Sequence, residues 1–369
     1  MKIASISWEG FALPFKSPYV TSGGQALSKY GLLVFLRASD GLEGVGEASP
    51  VGPGSLAQVR RLAGLLETNA ASLVGGAFDP AEDSFPGFNL DPALDFGLET
   101  AYLDLLGKAQ GKSISALMGW RPQRLPVNAI IASDSPEEAA AEAVAALRQG
   151  FTTLKLKVGQ ALRRNIALVS HVRSAVGPAV RLRIDPNQGW TVAGAVDAIK
   201  RLSSFGLEYV EQPVAADDLA GMAEVRRATG VSIAADEALR SPADVHRIVE
   251  AKAADLLIVK AARLGGLRGS LRTIEMAAHE GVPSVVTSSL ESGVGLAASA
   301  HLASALTAHP FAHGLGTGLL YANDLTAQPL LPTGGVLATP AGPGLGVILD
   351  KVKLQKYAIG ISGALGAAG

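Results

Sequence analysis

Three acidic residues in the middle of the chain each close a short apolar run. Asp185, Glu211 and Asp236 lie 26 and 25 residues apart, a separation that fits one strand and one helix for each step. A single acid at a strand end is most often a helix cap or a loop residue. If the three runs are neighbouring parallel strands, however, their carboxylates converge on one point. Carboxylates in a chain without cysteine favour a hard cation, so we expect Mg²⁺, with Mn²⁺ as the alternative.

Three lysines accompany these acids. Lys155 and Lys157 alternate with leucines in the run TTLKLKV, and Lys260 closes the run ADLLIVK. Side chains two residues apart in a strand share a face, so both lysines of the first run can point toward the acids. Burial and a nearby second cation lower a lysine pKa, which would let a lysine act as a general base near neutral pH. The alternative is that the pair lies on an exposed strand face and that Lys260 is a surface lysine.

The elements that must position these side chains alternate regularly. Helix-like segments separate the apolar runs, and one of them begins with Ser135 as a predicted N-cap and Glu138 three residues later. Strand–helix alternation predicts a mixed α/β fold, a (β/α)7β-type TIM-like barrel, with its chemistry at the carboxyl ends of the strands. A doubly wound open sheet is the alternative. The eight runs are 125–132, 152–158, 180–186, 207–213, 231–237, 254–260, 282–289 and 311–317.

The flanking segments predict a second domain. Residues 1–120 read as an α+β capping domain, with two strands joined by a turn at Asp40–Gly41 and a helix over residues 92–111 that ends on Gly111. Residues 121–325 form the predicted catalytic barrel. Residues 326–369 are rich in glycine and proline, and we expect them to return to the capping domain.

Composition excludes several classes of protein. The 369 residues are 48% hydrophobic and 18% charged, with a net charge of −1 and no cysteine, so no basic surplus points to nucleic acid. No segment reads as a membrane helix, and the first residues lack the apolar core of a signal peptide. We therefore expect a cytoplasmic protein that acts on a small molecule. A binding protein of the same size stays open.

The order of these motifs resembles the enolase superfamily in its muconate-lactonising branch. That resemblance implies that Asp185, Glu211 and Asp236 bind Mg²⁺. It also implies that Lys157 and Lys260 flank the substrate as acid/base or electrostatic groups. The matching motifs are KLK at 155–157, RIDPNQGW at 183–190, EQP at 211–213, ADE at 235–237 and IVKAARLGG at 258–266, with EGVGEASP at 43–50 and GPGLGV at 342–347 outside the barrel.

The same resemblance assigns the remaining site residues. Lys155 would support Lys157, and Asn187 and Glu237 would support the metal ligands from beside them. The loops at 18–25 and 50–55 would close over the substrate and set specificity. The assembly state stays open, and a homo-oligomer is one option.

Within the branch, residues 287–306 and 312–325 resemble the o-succinylbenzoate synthases of menaquinone biosynthesis. These enzymes dehydrate 2-succinyl-6-hydroxy-2,4-cyclohexadiene-1-carboxylate to 2-succinylbenzoate. A dipeptide epimerase would be expected to carry Asp-x-Asp at the eighth strand, where this chain has Gly-Leu-Gly-Thr. We expect Ser288, Ser289, Gly316 and Thr317 to bind a substrate carboxylate instead.

Two alternatives remain open at this point. Related enzymes racemise N-acylamino acids, such as N-succinylamino acids, with the same arrangement of lysines, so a racemase or another muconate-cycloisomerase-like enzyme is the first. A non-catalytic barrel that binds an anion or a metal is the second.

Overall fold

A computed structural model describes residues 2–21, 24–76, 88–307 and 310–366 of the chain. Part of the predicted 18–25 loop therefore lies outside the described residues. The strands, in chain order, are β1 Ile3–Thr21, β2 Gly24–Ala38, β3 Glu43–Ala48, β4 Arg124–Pro126, β5 Ala129–Ile131, β6 Thr153–Lys157, β7 Arg181–Asp185, β8 Leu207–Glu211, β9 Ile233–Ala235, β10 Leu256–Val259, β11 Ser284–Val286, β12 Val336–Ala338 and β13 Ala358–Gly366.

The helices occupy the connections that the sequence predicts. Ser135 accepts a hydrogen bond from the Glu138 backbone N–H at the start of the helix Pro136–Arg148, and Gly111 ends the helix Pro92–Gln110 in the left-handed conformation, so both predicted caps are confirmed. Among the helices of the described ranges, none is long and apolar enough to span a bilayer. The α-helices are α1 Leu56–Asn69, α2 Pro92–Gln110, α3 Ile114–Leu117, α4 Pro136–Arg148, α5 Leu162–Val176, α6 Val192–Leu202, α7 Leu219–Thr229, α8 Asp244–Glu250, α9 Leu267–His279, α10 Gly293–Ala303 and α11 Lys351–Tyr357.

The first sheet is antiparallel and contains both the first and the last strand of the described residues. Its strand order is β13-β1-β2-β3, so the C-terminal strand pairs with β1. Helix α2 packs closely on β3, where a Cβ on Gly46 would lie 1.9 Å from the Gly97 carbonyl oxygen. A larger residue at this position would push the helix away from the sheet. The boundaries at residues 120 and 325 stay a prediction.

The second sheet is parallel and closes into a barrel. Its order is β11-β10-β9-β8-β7-β6-β5, and single parallel bridges from His313 to Val127 and from Gly314 to Thr287 join its edges. The predicted mixed α/β barrel is therefore confirmed. The eighth run is shorter than expected, since within the described part of the chain only His313 and Gly314 bridge the edges. A Cβ on Gly314 would lie 2.5 Å from the Thr287 side chain, so only glycine fits the closure.

Candidate active site

The three predicted acids lie together at the carboxyl end of the barrel. Asp185 ends β7, Glu211 ends β8, and Asp236 directly follows β9. These strands are neighbours in the sheet, and each acid is 1% exposed. A buried carboxylate is costly unless it is paired, so the cations around these three residues determine their state.

Lys155 and Lys157 both point inward, toward these acids. The Nζ atom of Lys155 lies 2.8 Å from Asp185 Oδ2 and 2.6 Å from Glu211 Oε1. The Nζ atom of Lys157 lies 2.7 Å from the same Asp185 oxygen and 2.8 Å from Asn187 Oδ1. Leu154 and Leu156, which alternate with them, are buried on the opposite face of β6. The strand period therefore predicted the orientation of this pair, and the exposed-face alternative is wrong.

Lys260 lies on the other side of the barrel mouth. It directly follows β10, and its Nζ atom is 2.5 Å from Asp236 Oδ2. With residues 313–314 as the eighth position, β6 and β10 lie four places apart around the ring, which is diametrically opposite. Lys157 and Lys260 can therefore approach a molecule between them from two sides.

Arg263 belongs to the same cluster, although the sequence reasoning did not assign it. Its Nη1 atom lies 2.7 Å from both the backbone carbonyl oxygen and the Oδ1 atom of Asp236. Asp236 is thus held by one arginine and one lysine. The sequence could have indicated Arg263, because this residue lies three positions after Lys260 within the matching motif at 258–266.

The expected lowering of the lysine pKa is wrong for these side chains. Burial does act in that direction, but the charges of Asp185 and Glu211 outweigh it and raise the pKa of Lys155 well above its usual value. For Lys157, the charge of Asp185 likewise overcomes burial and the repulsion from Lys155, so its pKa is raised. Both lysines are ammonium groups as long as the carboxylates face them.

The acids divide into two kinds. Burial would raise the pKa of Asp185, but Lys155 and Lys157 hold it well below its usual range. Arg263 and Lys260 do the same for the pKa of Asp236. Glu211 differs, because burial outweighs its attraction to Lys155 and raises its pKa to about 7. Glu211 is therefore the acid with the least compensated charge.

Backbone strain accompanies the site. Asn187, Gln188 and Gln212 adopt positive φ angles of 45°, 64° and 39°, which residues other than glycine rarely take. Each such residue costs roughly 1–3 kcal/mol and persists only where its surroundings hold it. Here the Asn187 backbone N–H donates to Asp185 Oδ1 at 2.8 Å, and Gln212 Oε1 accepts from the Asp236 N–H at 3.0 Å. The strained turns thus orient the acidic side chains.

Two buried carboxylate oxygens in this cluster have no hydrogen-bond partner among the described residues. They are Glu211 Oε2 and Glu237 Oε2. Such atoms are costly in a protein interior, and a set of carboxylates alone is the donor chemistry of Mg²⁺ or Mn²⁺. As the described side chains stand, no three acids or histidines are close enough together to hold a metal ion. The residues fit such an ion in donor type and in unsatisfied charge, while the lysine ammonium groups pair with the same oxygens.

A cavity of about 240 Å³ opens above the cluster. Ser288, Ser289 and Thr317 line it, and the Ser288 and Thr317 hydroxyls lie 2.5 Å apart. The Ser289 hydroxyl is buried without a partner. Gly316 lies outside this lining and faces a neighbouring cavity of about 370 Å³. The capping region contributes Tyr19 and residues 51–53 to the main cavity.

Two family models cover most of the chain. Residues 138–353 match the model described as Enolase C-terminal domain-like. Residues 11–119 match the model of the Mandelate racemase / muconate lactonizing enzyme, N-terminal domain. The first match alone spans more than half of the chain. The chain belongs to the enolase superfamily. The resemblance drawn from the motifs in the sequence is thereby confirmed.

Relatives within the enolase superfamily carry different activity names. An o-succinylbenzoate synthase from Thermobifida fusca (strain YX) is 46% identical over 229 residues, which are 60% of this chain and 70% of that protein. An L-Ala-D/L-Glu epimerase from Bacillus subtilis (strain 168) is 30% identical over 367 residues, 94% of this chain and 97% of the epimerase. The crystal structure of N-succinyl Arg/Lys racemase from Bacillus cereus ATCC 14579 matches with a TM-score of 0.89 at 26% identity, covering 99% of this chain and 100% of the racemase chain.

Proposed function

We propose that this enolase-superfamily member is a Mg²⁺-dependent o-succinylbenzoate synthase, a hydro-lyase of menaquinone biosynthesis. The observation that carries the proposal is the pair Lys157 and Lys260, which lie on opposite sides of one acidic cluster beneath one cavity. The 46% identity to an o-succinylbenzoate synthase supports the choice of reaction. The substrate would be 2-succinyl-6-hydroxy-2,4-cyclohexadiene-1-carboxylate.

Asp185, Glu211 and Asp236 would hold the metal, with Asn187 and Glu237 beside them. A Mg²⁺ ion bound there would stabilise negative charge on the substrate carboxylate and would offset the carboxylate charge that keeps the lysine pKa high. Glu211 is suited to this role because one of its oxygens has no partner. Lys155 bridges Asp185 and Glu211, so it couples the state of both acids to the position of Lys157.

One lysine can carry out both proton transfers of the reaction. The neutral Lys157 amine takes the proton from the ring carbon that bears the carboxylate, and the electrons of the broken C–H bond remain on the substrate. The resulting Lys157 ammonium then donates that proton to the departing hydroxyl group on the same face. Water leaves, and the ring becomes aromatic. From the opposite side, Lys260 faces the developing negative charge.

The eighth barrel position supports a substrate without an amine. Residues 314–317 read Gly-Leu-Gly-Thr, and Thr317 presents a hydroxyl to the cavity beside Ser288. The nearest acid that follows in the chain, Asp324, accepts hydrogen bonds from the Gly293 N–H and the Thr326 hydroxyl, so it is engaged at the start of α10. No carboxylate of residues 311–326 therefore lines the cavity to hold a substrate ammonium group.

A racemase of N-succinylamino acids is the second candidate. One lysine on each side of the cavity is the arrangement that racemisation requires, because a proton must leave one face and return to the other. The match to N-succinyl Arg/Lys racemase supports this candidate. A barrel that only binds an anion or a metal is less well supported, since binding alone does not require a lysine on each face.

The test measures the loss of diene absorbance when the purified protein is mixed with the cyclohexadiene substrate and Mg²⁺. We expect rapid loss that chelation abolishes and that Lys157→Ala lowers by about 10²–10⁴-fold. An N-succinylamino acid in D₂O, followed by NMR for deuterium at Cα, tests the racemase in parallel. Faster exchange of the amino acid than dehydration of the diene would overturn the synthase proposal in favour of the racemase. If neither substrate is turned over, the remaining candidate is a barrel that only binds an anion or a metal.

A further inference from the structure

Lys29 is a fully buried lysine at the joint between the first sheet and the barrel. It lies on β2 and is 0% exposed. Its ammonium group donates to the backbone carbonyls of Pro50 and Gly52, the latter at 2.5 Å, and reaches the Ser289 carbonyl at 3.5 Å. Two of these acceptors belong to the loop after β3 and the third to the turn after β11. One ammonium group thus connects two chain segments about 240 residues apart.

The two acids near Lys29 are engaged with the barrel backbone. Glu47 on β3 accepts from the Ser292 N–H at 3.0 Å and from the Gly295 N–H at 3.1 Å, so it caps the start of α10. Glu291 accepts from the Ser289 N–H at 2.6 Å. These acids supply negative charge to Lys29 without taking its hydrogen bonds. The lysine donors therefore remain for the loop carbonyls.

The segments that Lys29 connects form part of the cavity wall. Val51, Gly52 and Pro53 line the cavity from one side, and Ser289 and Leu290 line it from the barrel. Val51 is 43% exposed, so the loop stands at the mouth rather than in the core. A group that fixes this loop against Ser289 therefore fixes the width of the entrance.

We propose that Lys29 is a positioning residue that holds the 50–53 loop against the turn after β11 and thereby sets how tightly the cavity closes over its ligand. It touches no reacting atom, so its loss should weaken ligand binding more than it slows the chemical step. The identity of the ligand, 2-succinylbenzoate in the tests below, rests on the proposed function. The role of Lys29 in positioning the loop does not depend on the proposed function.

The charge state of Lys29 also determines how strongly it holds the carbonyls of the 50–53 loop. Burial lowers the pKa of Lys29 to about 8, against the opposing charges of Glu291 and Glu47. Tyr321, whose hydroxyl donates to the Leu290 carbonyl, is neutral throughout because burial raises its pKa well above the usual value. The ammonium form is therefore present below about pH 8. Above that pH the amine has lost a donor and its charge, and the loop carbonyls are held less strongly.

The first experiment compares Lys29→Met with Lys108→Met by backbone hydrogen exchange of residues 50–54 and 289–291 at pH 7. Lys108 is the control, because it also bonds a backbone carbonyl, that of Glu43, but pairs with Asp104 and lies away from the cavity. We expect faster exchange in both segments for Lys29→Met alone. We also expect its dissociation constant for 2-succinylbenzoate with Mg²⁺ to rise about tenfold, as for the loss of a charged hydrogen bond, with kcat changed less than KM. Unchanged exchange in residues 50–54 would overturn the proposal.

If Lys29→Met does not fold, the double variant Lys29→Met/Glu291→Gln replaces it, because it removes one buried charge of each sign. In the unaltered protein, the dissociation constant should rise between pH 7 and 9 with a midpoint near 8. Lys29→Arg should abolish that rise, because a guanidinium stays charged. The same pH curve in both proteins would contradict the proposal. If the unaltered protein binds no 2-succinylbenzoate, the proposed function fails, and hydrogen exchange still decides the role of Lys29.

Discussion

Two buried clusters of charge in this protein differ in how their polar atoms are satisfied. The barrel-mouth cluster contains the lysines and acids at the ends of β6 to β10, and the joint cluster contains Lys29, Glu47 and Glu291. In the joint cluster, backbone N–H and carbonyl groups satisfy the charged atoms. In the barrel-mouth cluster, the charges pair with one another, and oxygens of Glu211 and Glu237 stay unpaired.

The difference separates a structural use of buried charge from a chemical one. A charge that the backbone satisfies orders the chain around it, and removing it leaves several N–H or carbonyl groups without partners. Charges that pair mainly with one another can exchange partners when a ligand arrives.

The largest expected effect is on catalysis at the barrel mouth. Lys157→Ala should lower kcat by about 10²–10⁴-fold, because it removes the side chain that we propose as the general base. Its stability should change little in comparison, since Lys155 still neutralises Asp185. Initial rates and urea unfolding on the same preparation check both statements. A variant that unfolds easily but turns over normally would reverse the roles assigned to the two clusters.

Glu47→Ala should mainly lower the stability of the protein. The substitution leaves the Ser292 and Gly295 N–H groups at the start of α10 without this acceptor, and it leaves Lys29 with one fewer compensating charge. Removing one partner of such a buried set typically costs about 3–5 kcal/mol. We expect this loss in the free energy of unfolding in urea, with the exposed Glu67→Ala as control. A loss below about 1 kcal/mol, the net value of an ordinary hydrogen bond, would contradict the structural role.

Acid should destabilise the protein through His301, another backbone-satisfied group. Its Nδ1 atom accepts from the Ser115 N–H at 3.2 Å, its Nε2 faces the Leu345 carbonyl at 3.1 Å, and burial lowers its pKa to about 4. The unfolded chain takes up a proton below about pH 6.5, whereas the folded chain resists until about pH 4. The stability is therefore present above pH 6.5 and falls by about 3 kcal/mol as the pH drops to 4.

Urea unfolding between pH 4 and 7 measures this loss. His301→Gln should flatten that part of the curve, while the same substitution at the exposed His171 should leave it unchanged. If His301→Gln and the unaltered protein show parallel curves, another group is responsible for the acid sensitivity.

The sequence predicts the barrel-mouth cluster better than the joint cluster, for a physical reason. Strand period places Lys155 and Lys157 on one face, and successive parallel strands bring Asp185 and Glu211 to one edge. The signs of the lysine pKa shifts could not be predicted, because they depend on distances of 2.6–2.8 Å between residues on different strands.

Other features depend on packing between distant parts of the chain. The joint cluster unites positions 29, 47 and 291, and no local period links them. Arg263 reaches Asp236 only through the turn that follows β10. The short eighth strand is a third case, because the two-residue bridge at His313 and Gly314 is set by how closely the barrel edges approach.

The measurement that tests the central contrast most directly is a Mn²⁺ titration followed by electron paramagnetic resonance. We expect one bound Mn²⁺ per chain, with Mg²⁺ competing for the site. Glu211→Gln, which removes the unpaired oxygen, should weaken this binding strongly, and Glu291→Gln in the joint cluster should leave it unchanged. Mn²⁺ binding that Glu211→Gln does not weaken, or no binding at all, would contradict the claim that the unpaired carboxylate oxygens of the barrel mouth mark a metal-dependent site.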